Sequence, residues 1–350
     1  MIRHEKTFGA LFLALMLVPA SSTWGDQADD GVIDLDQAAA TGPRGGLAPE
    51  QVPISTELQD FVTASVEELL ARDAALRKQN LYLALYDLPA EGEPTRAHWN
   101  GDVPVYPASV VKFVYLMAAY AWRDDGLIEF DPAFDRQLDA MIHVSSNRAT
   151  QRVMRSLTQT QPGPELDAEQ YAAFRERRHR VKSWLEGLEV DDLHAVHPTY
   201  DGGGDLHGRD LQFLKDRNVE GSLPNQKGPY FNRQAMTADD TAQLLALLAL
   251  DRALSPASSA EVRERMRRDV RKQRYLSHRI AGGTDQRADL EVFAKTGTWG
   301  PIFADAGIVR HASGHQLVVA VFIEGKPAYR GGFIAQFTRR AVKRLMPKGR

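Results

Sequence analysis

The seven residues YPASVVK, at positions 106–112, decide how this sequence is interpreted. Ser109 opens an apolar segment that predicts a helix over Ser109–Asp124. Residues three positions apart on a helix share one face, so the Lys112 amine can reach the Ser109 hydroxyl. A serine becomes a nucleophile when a base takes its proton, and a lysine can be that base when burial lowers its pKa. Taken alone, a Ser-x-x-Lys tetrapeptide is common and is in most cases an ordinary surface pair.

A second polar group, Ser145-Ser146-Asn147, follows the first between two predicted helices, over 132–142 and 148–157. A loop at this place can present a hydroxyl and a carboxamide to a cleft. Ser145 is a candidate for relaying a proton to a leaving nitrogen. Asn147 is a candidate for binding a substrate amide and positioning Lys112. The alternative is that these residues only cap the second helix, for which Ser and Asn are well suited.

The third group is Lys295-Thr296-Gly297-Thr298, at the end of a predicted strand over 291–298. The amine of Lys295 and the hydroxyls of Thr296 and Thr298 can bind a substrate carboxylate. Gly297 lets a ligand approach the backbone closely, and a strand edge can add an N–H group to an oxyanion hole. The alternative is an ordinary hairpin strand with a solvated lysine.

Around these motifs, the pattern predicts an α+β fold: an antiparallel sheet flanked by N- and C-terminal helices, with an all-helical lobe inserted at about 106–270. Residues 189–236 predict a long irregular region. The other predicted strands cover 81–88, 97–99, 303–310 and 316–324, and the other predicted helices cover 56–78, 165–188, a segment capped by Thr237, 261–272 and 332–345.

The composition restricts the function. The chain has 350 residues, a formal net charge of −3 and no cysteine. The charge gives no reason to expect a nucleic-acid partner, and the missing cysteines exclude disulfides, thiol catalysis and thiolate metal sites. His194, His197 and His207 lie among several Asp residues, but their spacing matches no hydrolase metal motif. We therefore predict neither a metal nor a cofactor.

The N-terminal segment predicts export. A basic start precedes an apolar run over 8–20 and small residues, which is typical of a signal peptide over 1–22. The run is too short to span a membrane, so no stable span is expected after signal removal. The alternative is an uncleaved amphipathic anchor. We expect a flexible linker over 23–54, a hydrolase domain over 55–350, a periplasmic or secreted bacterial location, and a monomer.

The three motifs, in this order, resemble those of the serine β-lactamase and D-alanyl-D-alanine peptidase superfamily, and most closely the class A β-lactamase catalytic domain. The resemblance covers about residues 56–345. It implies a Ser109 acyl-enzyme, Lys112 as base or relay, and Ser145 as proton shuttle to the leaving nitrogen. It also implies that Asn147 holds the acylamide, that Lys295, Thr296 and Thr298 hold the carboxylate, and that the N–H groups of Ser109 and Thr298 form the oxyanion hole.

The sequence departs from the class A pattern in ways that leave the activity open. Ser146 stands where class A enzymes usually have Asp, and the Glu and Asn that serve deacylation there, four residues apart, have no match. Glu220, with Asn225, is the nearest candidate. The expected substrate is a β-lactam or a peptidoglycan stem peptide. The alternatives are a D-alanyl-D-alanine carboxypeptidase or penicillin-binding protein with slow deacylation, a catalytically idle module that binds cell-wall fragments, and, less consistent with export, a serine-dependent glutaminase.

Overall fold

An antiparallel sheet forms the centre of the domain. The computed structural model describes residues 46–47, 51–199, 201, 207–217, 231–325 and 331–348. Within these, the strands are β1 Leu81–Leu88, β2 Thr95–Trp99, β3 Leu193–His194, β4 Ala235–Met236, β5 Leu290–Trp299, β6 Ile302–His311 and β7 Gln316–Glu324. The main sheet has the order β2-β1-β7-β6-β5, whereas β3 and β4 pair separately. Every pairing in the main sheet is antiparallel, as the sequence predicted.

Helices cover both faces of the main sheet. They are α1 Thr56–Arg72, α2 Lys112–Asp124, α3 Pro132–His143, α4 Asn147–Thr158, α5 Ala168–Glu186, α6 Gly208–Lys215, α7 Ala238–Ala249, α8 Pro256–Arg265 and α9 Phe333–Leu345. One apolar core joins α1 and α9 to the sheet, and a second joins α2 and α7 to its other face. Helix α2 is apolar almost all round, as expected of a helix that other elements enclose. The predicted α+β fold with an inserted helical lobe is confirmed.

Three sequence predictions need correction. Helix α1 ends at Arg72 rather than near 78, because Asp73 is extended and a 3₁₀ turn follows over Lys78–Asn80. The helix predicted over 261–272 instead starts at Pro256, behind the Ser255 N-cap, and ends at Arg265. The region over 189–236 is not wholly irregular, since it contains α6, β3 and β4. Polar and glycine-rich flanks concealed these short elements.

The described end of the predicted linker packs against the domain. Leu47 and Val52 are buried, and the Arg96 N–H donates to the Pro53 carbonyl over 3.1 Å. The predicted signal peptide over 1–22 lies outside the described residues. Among the helices in the described ranges, none has the length and apolar character needed to cross a membrane.

Candidate active site

The candidate nucleophile lies on a strained turn. Ser109 belongs to a 3₁₀ turn over Ala108–Val111 that leads directly into α2. Ala108 has φ of +49°, in the left-handed region that non-glycine residues rarely occupy. Residues in this region persist only where the surroundings impose them, and they cluster at functional sites. The turn leaves Ser109 half-buried on the wall of a cavity.

Lys112, at the start of α2, is buried beside this turn. Its side chain is completely inaccessible to solvent. The Nζ atom donates to the Ser145 carbonyl at 2.5 Å, to Asn147 Oδ1 at 2.7 Å and to Ser145 Oγ at 3.3 Å. Burial lowers the pKa of Lys112 to about 7, and the charge of Asp201 opposes that shift. Ser109 Oγ is not among the hydrogen-bond partners that Lys112 has within the described ranges. In enzymes without ligand, such catalytic contacts are often long and tighten on binding.

The hydroxyl of Ser145 lies between two buried amines. Lys295 Nζ donates to Ser145 Oγ at 3.0 Å and to the Thr296 carbonyl at 2.9 Å. Burial lowers the pKa of Lys295 well below its usual range, and the charge of Lys112 adds to this shift. A hydroxyl has two acceptor lone pairs and one proton. Because both amines can donate to the oxygen, the Ser145 proton is available to a third group.

The turn at Ser145 both presents polar groups to the site and caps α4, which are the two roles that the sequence left open. Ser145 has φ of +57°, and Ser146 caps α4 by accepting the Ala149 N–H at 3.2 Å. Ser146 is therefore a helix cap. Its neighbours on either side contact Lys112 instead. The cap fixes the backbone, and the strained turn directs the flanking side chains toward the amine.

The edge of β5 that faces away from β6 presents backbone groups to the same region. The Val292 carbonyl accepts the Arg268 N–H at 2.8 Å, and the Ala294 N–H donates to the Met266 carbonyl at 2.8 Å. Alternate residues of a strand direct their backbone groups to the same side. The backbone N–H of Thr298 therefore also points away from β6, which supports its expected place in an oxyanion hole.

The side chains of the third motif divide between the two faces of β5. Successive side chains of a strand point to opposite faces, so Lys295 and Gly297 share one face and Thr296 and Thr298 share the other. A Cβ at Gly297 would meet the Pro107 carbonyl oxygen at 2.8 Å. This glycine therefore lets β5 approach the nucleophile turn. The sequence had assigned it instead to a close approach by the ligand.

Two buried arginines that the sequence analysis missed support this strand. Arg279 Nη2 donates to Thr298 Oγ1 at 2.7 Å, and its Nη1 donates to the Ala304 carbonyl at 2.5 Å. Its guanidinium also lies 3.6 Å from the centre of the Phe303 ring. Arg279 thus places a positive charge beside the hydroxyl expected to bind a carboxylate.

Arg268 joins the two halves of the site. Its Nε atom donates to the Ala294 carbonyl at 2.9 Å, and its Nη2 donates to the Ile142 carbonyl at 3.1 Å. It therefore connects the residue before Lys295 to the end of α3, three residues before Ser145. In the sequence Arg268 lies within the predicted helix over 261–272, and only the tertiary structure distinguishes it from its more exposed neighbours.

The nucleophile opens into a cavity of about 310 Å³. The cavity is lined by residues from the nucleophile turn, the start of α4, the segment before Tyr200, α6, the segment before β4 and the end of β5. They are Tyr106, Ala108, Ser109, Asn147, His197, Pro198, Thr199, Leu214, Arg233, Gln234, Thr298 and Trp299. Concave sites of this size, mostly apolar with a few polar groups, are typical of small-molecule binding.

The acids and histidines expected near the site are distributed differently. Glu220, with Asn225, lies outside the described residues, so its candidate role is a prediction. Asp201 forms an ion pair with Arg148 at 3.1 Å and is the acid whose charge influences Lys112. His197 lines the cavity, and burial lowers its pKa to about 4, so its ring is neutral at pH 7. In the described ranges, no three His, Cys, Asp or Glu side chains are arranged to hold a metal ion.

Comparison with known proteins gives one family and a set of similar folds. A model described as the β-lactamase enzyme family matches residues 135–345, which begin after Ser109 and Lys112. A search of curated proteins found no match. A β-lactamase from Sphaerobacter thermophilus is 20% identical, with a TM-score of 0.54, over 82% of this chain and 97% of its own.

Two further solved structures are similar at the same level. A point mutant of the class A β-lactamase of the last common ancestor of Gram-negative bacteria is 22% identical, with a TM-score of 0.54, over 81% of this chain and 97% of its own. A point mutant of PBP-A, described as an acyl-enzyme complex with penicillin G, is 19% identical, with a TM-score of 0.52, over 83% of this chain and 96% of its own. These identities support the fold, and the family match covers most of the chain.

Proposed function

Because the chain belongs to the β-lactamase enzyme family, and is therefore a serine hydrolase that acts on amide bonds, we propose that Ser109 is its nucleophile and Lys112 the base that activates it. The observation that carries this proposal is the burial of Lys112 next to the strained Ser109 turn, with its amine bonded to Ser145 and Asn147. A desolvated lysine with a pKa near 7 can accept a proton at neutral pH.

The acylation step follows from these positions. The neutral Lys112 amine takes the Ser109 proton while Ser109 Oγ attacks the carbonyl carbon of the amide. The electron pair of the carbonyl moves to its oxygen, where the backbone N–H groups of Ser109 and Thr298 stabilise the negative charge. One donor of this kind typically contributes about 10²–10³-fold in rate.

Collapse of this intermediate breaks the carbon–nitrogen bond, and the leaving nitrogen must gain a proton. Ser145 Oγ accepts from both amines and can pass its own proton to that nitrogen. Lys112 then passes the proton that it took from Ser109 to Ser145 Oγ, which restores the Ser145 hydroxyl and the neutral amine. Asn147 would hold the acylamide, and a substrate carboxylate would lie at the end of β5, near Lys295, Thr298 and the Arg279 charge.

Deacylation is the step that separates a β-lactamase from a penicillin-binding protein. Among the described residues that line the cavity, none is an acid able to activate water. The primary proposal is hydrolysis of β-lactams through the Ser109 acyl-enzyme. The lack of an acid among the described lining residues favours a second candidate, a D-alanyl-D-alanine carboxypeptidase or penicillin-binding protein with a long-lived acyl-enzyme. The similar fold of PBP-A, described in an acyl-enzyme complex with penicillin G, supports that candidate.

Export and assembly belong to the same proposal. A cleaved signal over residues 1–22 would place the enzyme in the periplasm or outside the cell, where β-lactams and peptidoglycan stem peptides are accessible. The chain would then act as a monomer that needs no cofactor. Export is testable by sequencing the N-terminus of the mature protein.

Intact-mass spectrometry after mixing with benzylpenicillin tests the proposal. The wild-type protein should gain the mass of one penicillin, and Ser109→Ala should gain none. Ser313→Ala, on the exposed β6–β7 turn, is the matched control and should label like the wild type. Rapid loss of the adduct indicates a β-lactamase, and a persistent adduct indicates a penicillin-binding protein. Binding without any adduct in the wild type would support the idle module and contradict the proposed nucleophile.

A further inference from the structure

A second cavity, of about 240 Å³, has no described lining residue in common with the cavity that contains Ser109. Three segments form it: the residues directly after α8, a 3₁₀ turn over Ile280–Thr284 with the turn that follows, and the start of β5. We call it the arginine cavity, after the arginines in its lining. It lies at the start of β5, whereas the proposed acyl transfer takes place near the Thr298 end of the same strand.

The lining of the arginine cavity is strongly basic. In the described ranges its basic side chains are those of Arg267, Arg268, Arg271, Lys272 and Arg287, and its carboxylates are those of Asp269 and Glu291. An excess of one sign of charge in a concave place raises the local concentration of ions of the opposite sign. The lining therefore favours an anionic ligand.

Three of these bases form ion pairs with protein carboxylates. The pairs are Arg267 with Glu264 and Glu291, Arg271 with Asp269, and Arg287 with Asp289. Arg268 and Lys272 differ from them, since neither has a carboxylate within ion-pair distance in the described part of the chain. Two positive charges of the lining are therefore not paired by the described residues.

Arg268 is the more informative of the two, because it is only 6% exposed. Its Nε and Nη2 atoms donate to the carbonyls of Ala294 and Ile142, and its buried Nη1 has no hydrogen-bond partner among the described residues. Burial lowers the pKa of Arg268, and the charge of Asp305 on β6 opposes the shift. A guanidinium stays protonated at neutral pH, and an unpaired charge is costly to bury. An anion bound in the cavity would offset this cost.

Hydrogen bonds hold the three segments in place. The Arg268 N–H donates to the Val292 carbonyl at 2.8 Å, and the Arg287 N–H donates to the Thr284 carbonyl at 3.1 Å. Asp269 Oδ1 accepts both the backbone N–H and the Nε hydrogen of Arg271, each at 2.9 Å. Because these contacts position the basic side chains without a ligand, binding loses little conformational entropy.

We propose that the arginine cavity binds a compact phosphate anion, either inorganic phosphate or a small phosphate monoester. A phosphate group has a charge of about −1.5 to −2 at pH 7 and several acceptor oxygens, which matches two unpaired cations. Guanidinium groups bind phosphate oxygens through paired N–H donors. The cavity is smaller than the roughly 300–1,000 Å³ of sites for drug-sized ligands, so it suits a compact ligand. The site is independent of acyl transfer at Ser109.

Isothermal titration calorimetry at constant ionic strength tests the proposal with inorganic phosphate, glycerol 3-phosphate and acetate. Saturable phosphate binding is expected, with an affinity at least about tenfold higher than that for acetate, whose single charge can pair with only one cation. Tighter binding of inorganic phosphate would support the free anion as the ligand, and tighter binding of glycerol 3-phosphate would support a monoester. No saturable phosphate binding, or an equal affinity for acetate, would overturn the proposal.

Charge reversal at exposed lining residues locates the site. Arg271→Glu combined with Lys272→Glu should weaken phosphate binding by at least about tenfold. Arg72→Glu combined with Lys78→Glu is the matched control, since both residues are exposed and pair with acids on α1. The control should keep the dissociation constant within about twofold of the wild type. An equal loss in the two double variants would show that net charge alone attracts phosphate, and would contradict the site.

The buried charge is tested by Arg268→Met, which should weaken phosphate binding by about 10–100-fold. Arg268→Lys keeps the charge without the planar donors and should give an intermediate dissociation constant. Circular dichroism shows whether each variant is folded. Wild-type affinity in folded Arg268→Met would remove Arg268 from the site. If neither variant folds, the double variant of Arg271 and Lys272 decides the question.

Phosphate binding can be separated from the proposed catalysis. The buried amine of Lys295 is another cation that an anion could approach, so Lys295→Met and Ser109→Ala should both bind phosphate like the wild type. Loss of phosphate binding in Lys295→Met would assign the anion to the catalytic centre and reject the arginine cavity. Normal phosphate binding in a wild-type protein that forms no penicillin adduct would reject the proposed nucleophile alone.

Discussion

This protein has two buried centres in which two basic side chains bond to one shared group. The shared group is a hydroxyl in one centre and a carboxylate in the other. At the catalytic centre, Lys112 and Lys295 share the hydroxyl of Ser145. Behind the cavity, Arg178 and Arg155 share the carboxylate of Asp210. Burial acts on both pairs. Only in the second pair is the shared group itself negatively charged.

The difference determines what each centre can do. Burial lowers the pKa of Arg178 to about 10, and the charge of Asp210 opposes the shift, so the guanidinium stays protonated at pH 7. The neutral Ser145 hydroxyl offers no such compensation, and the pKa of Lys112 falls to about 7. A buried ion pair fixes structure, whereas two desolvated amines around a hydroxyl make a base and a proton relay. The predictions below test this contrast.

Removing the Lys112 amine should have the largest effect. Lys112→Met should slow acylation by benzylpenicillin by about 10³-fold, or about 4 kcal/mol, because the base is lost. Quenched-flow mixing followed by intact-mass spectrometry gives the acylation rate. Lys182→Met is the control, since Lys182 is a largely buried lysine that pairs with Glu186 on α5. Its acylation rate should stay within about twofold of the wild type. A wild-type acylation rate in Lys112→Met would show that Lys112 is not the base that activates Ser109.

Neutralising Asp210 should mainly affect stability. Asp210→Asn leaves Arg178 buried without a counter-charge, and breaking such a pair costs about 3–5 kcal/mol. Urea unfolding followed by circular dichroism measures the free energy of unfolding. Asp251→Asn removes a partly exposed partner of Arg263 and should cost less than about 1 kcal/mol. Equal losses in the two variants would show that the Asp210 centre is not a structural anchor.

The pH dependence of acylation should report the catalytic centre. A base with a pKa near 7 is protonated and inactive in acid, so the rate should fall about tenfold per pH unit well below 7 and level off above about 8. Because Asp201 raises the pKa of Lys112, Asp201→Asn should move the profile to lower pH by a fraction of a unit. Asp285→Asn, which pairs with Arg339, is the control and should not move it. A shift to higher pH would contradict the assigned sign.

The sequence by itself determined the fold class and the three motifs, because both depend on local patterns. Apolar periodicity predicted the sheet, its flanking helices and the inserted lobe. The motif spacing identified residues that the fold does bring together: Lys112, Ser145, Asn147 and Lys295 form one hydrogen-bonded group. The predicted helix N-cap was also present, at Ser146.

Only the tertiary structure decided which charges are buried and what covers the cavity. Neither Arg268 nor Arg279 belongs to a motif that marks it as part of the site, yet both guanidinium groups contact the strand that carries the third motif or its neighbour. Helix α6 lies in a region whose glycine and polar content conceals a helical period, yet Leu214 forms a wall of the site. Burial of a charge and convergence of distant segments depend on long-range packing, which no local pattern encodes.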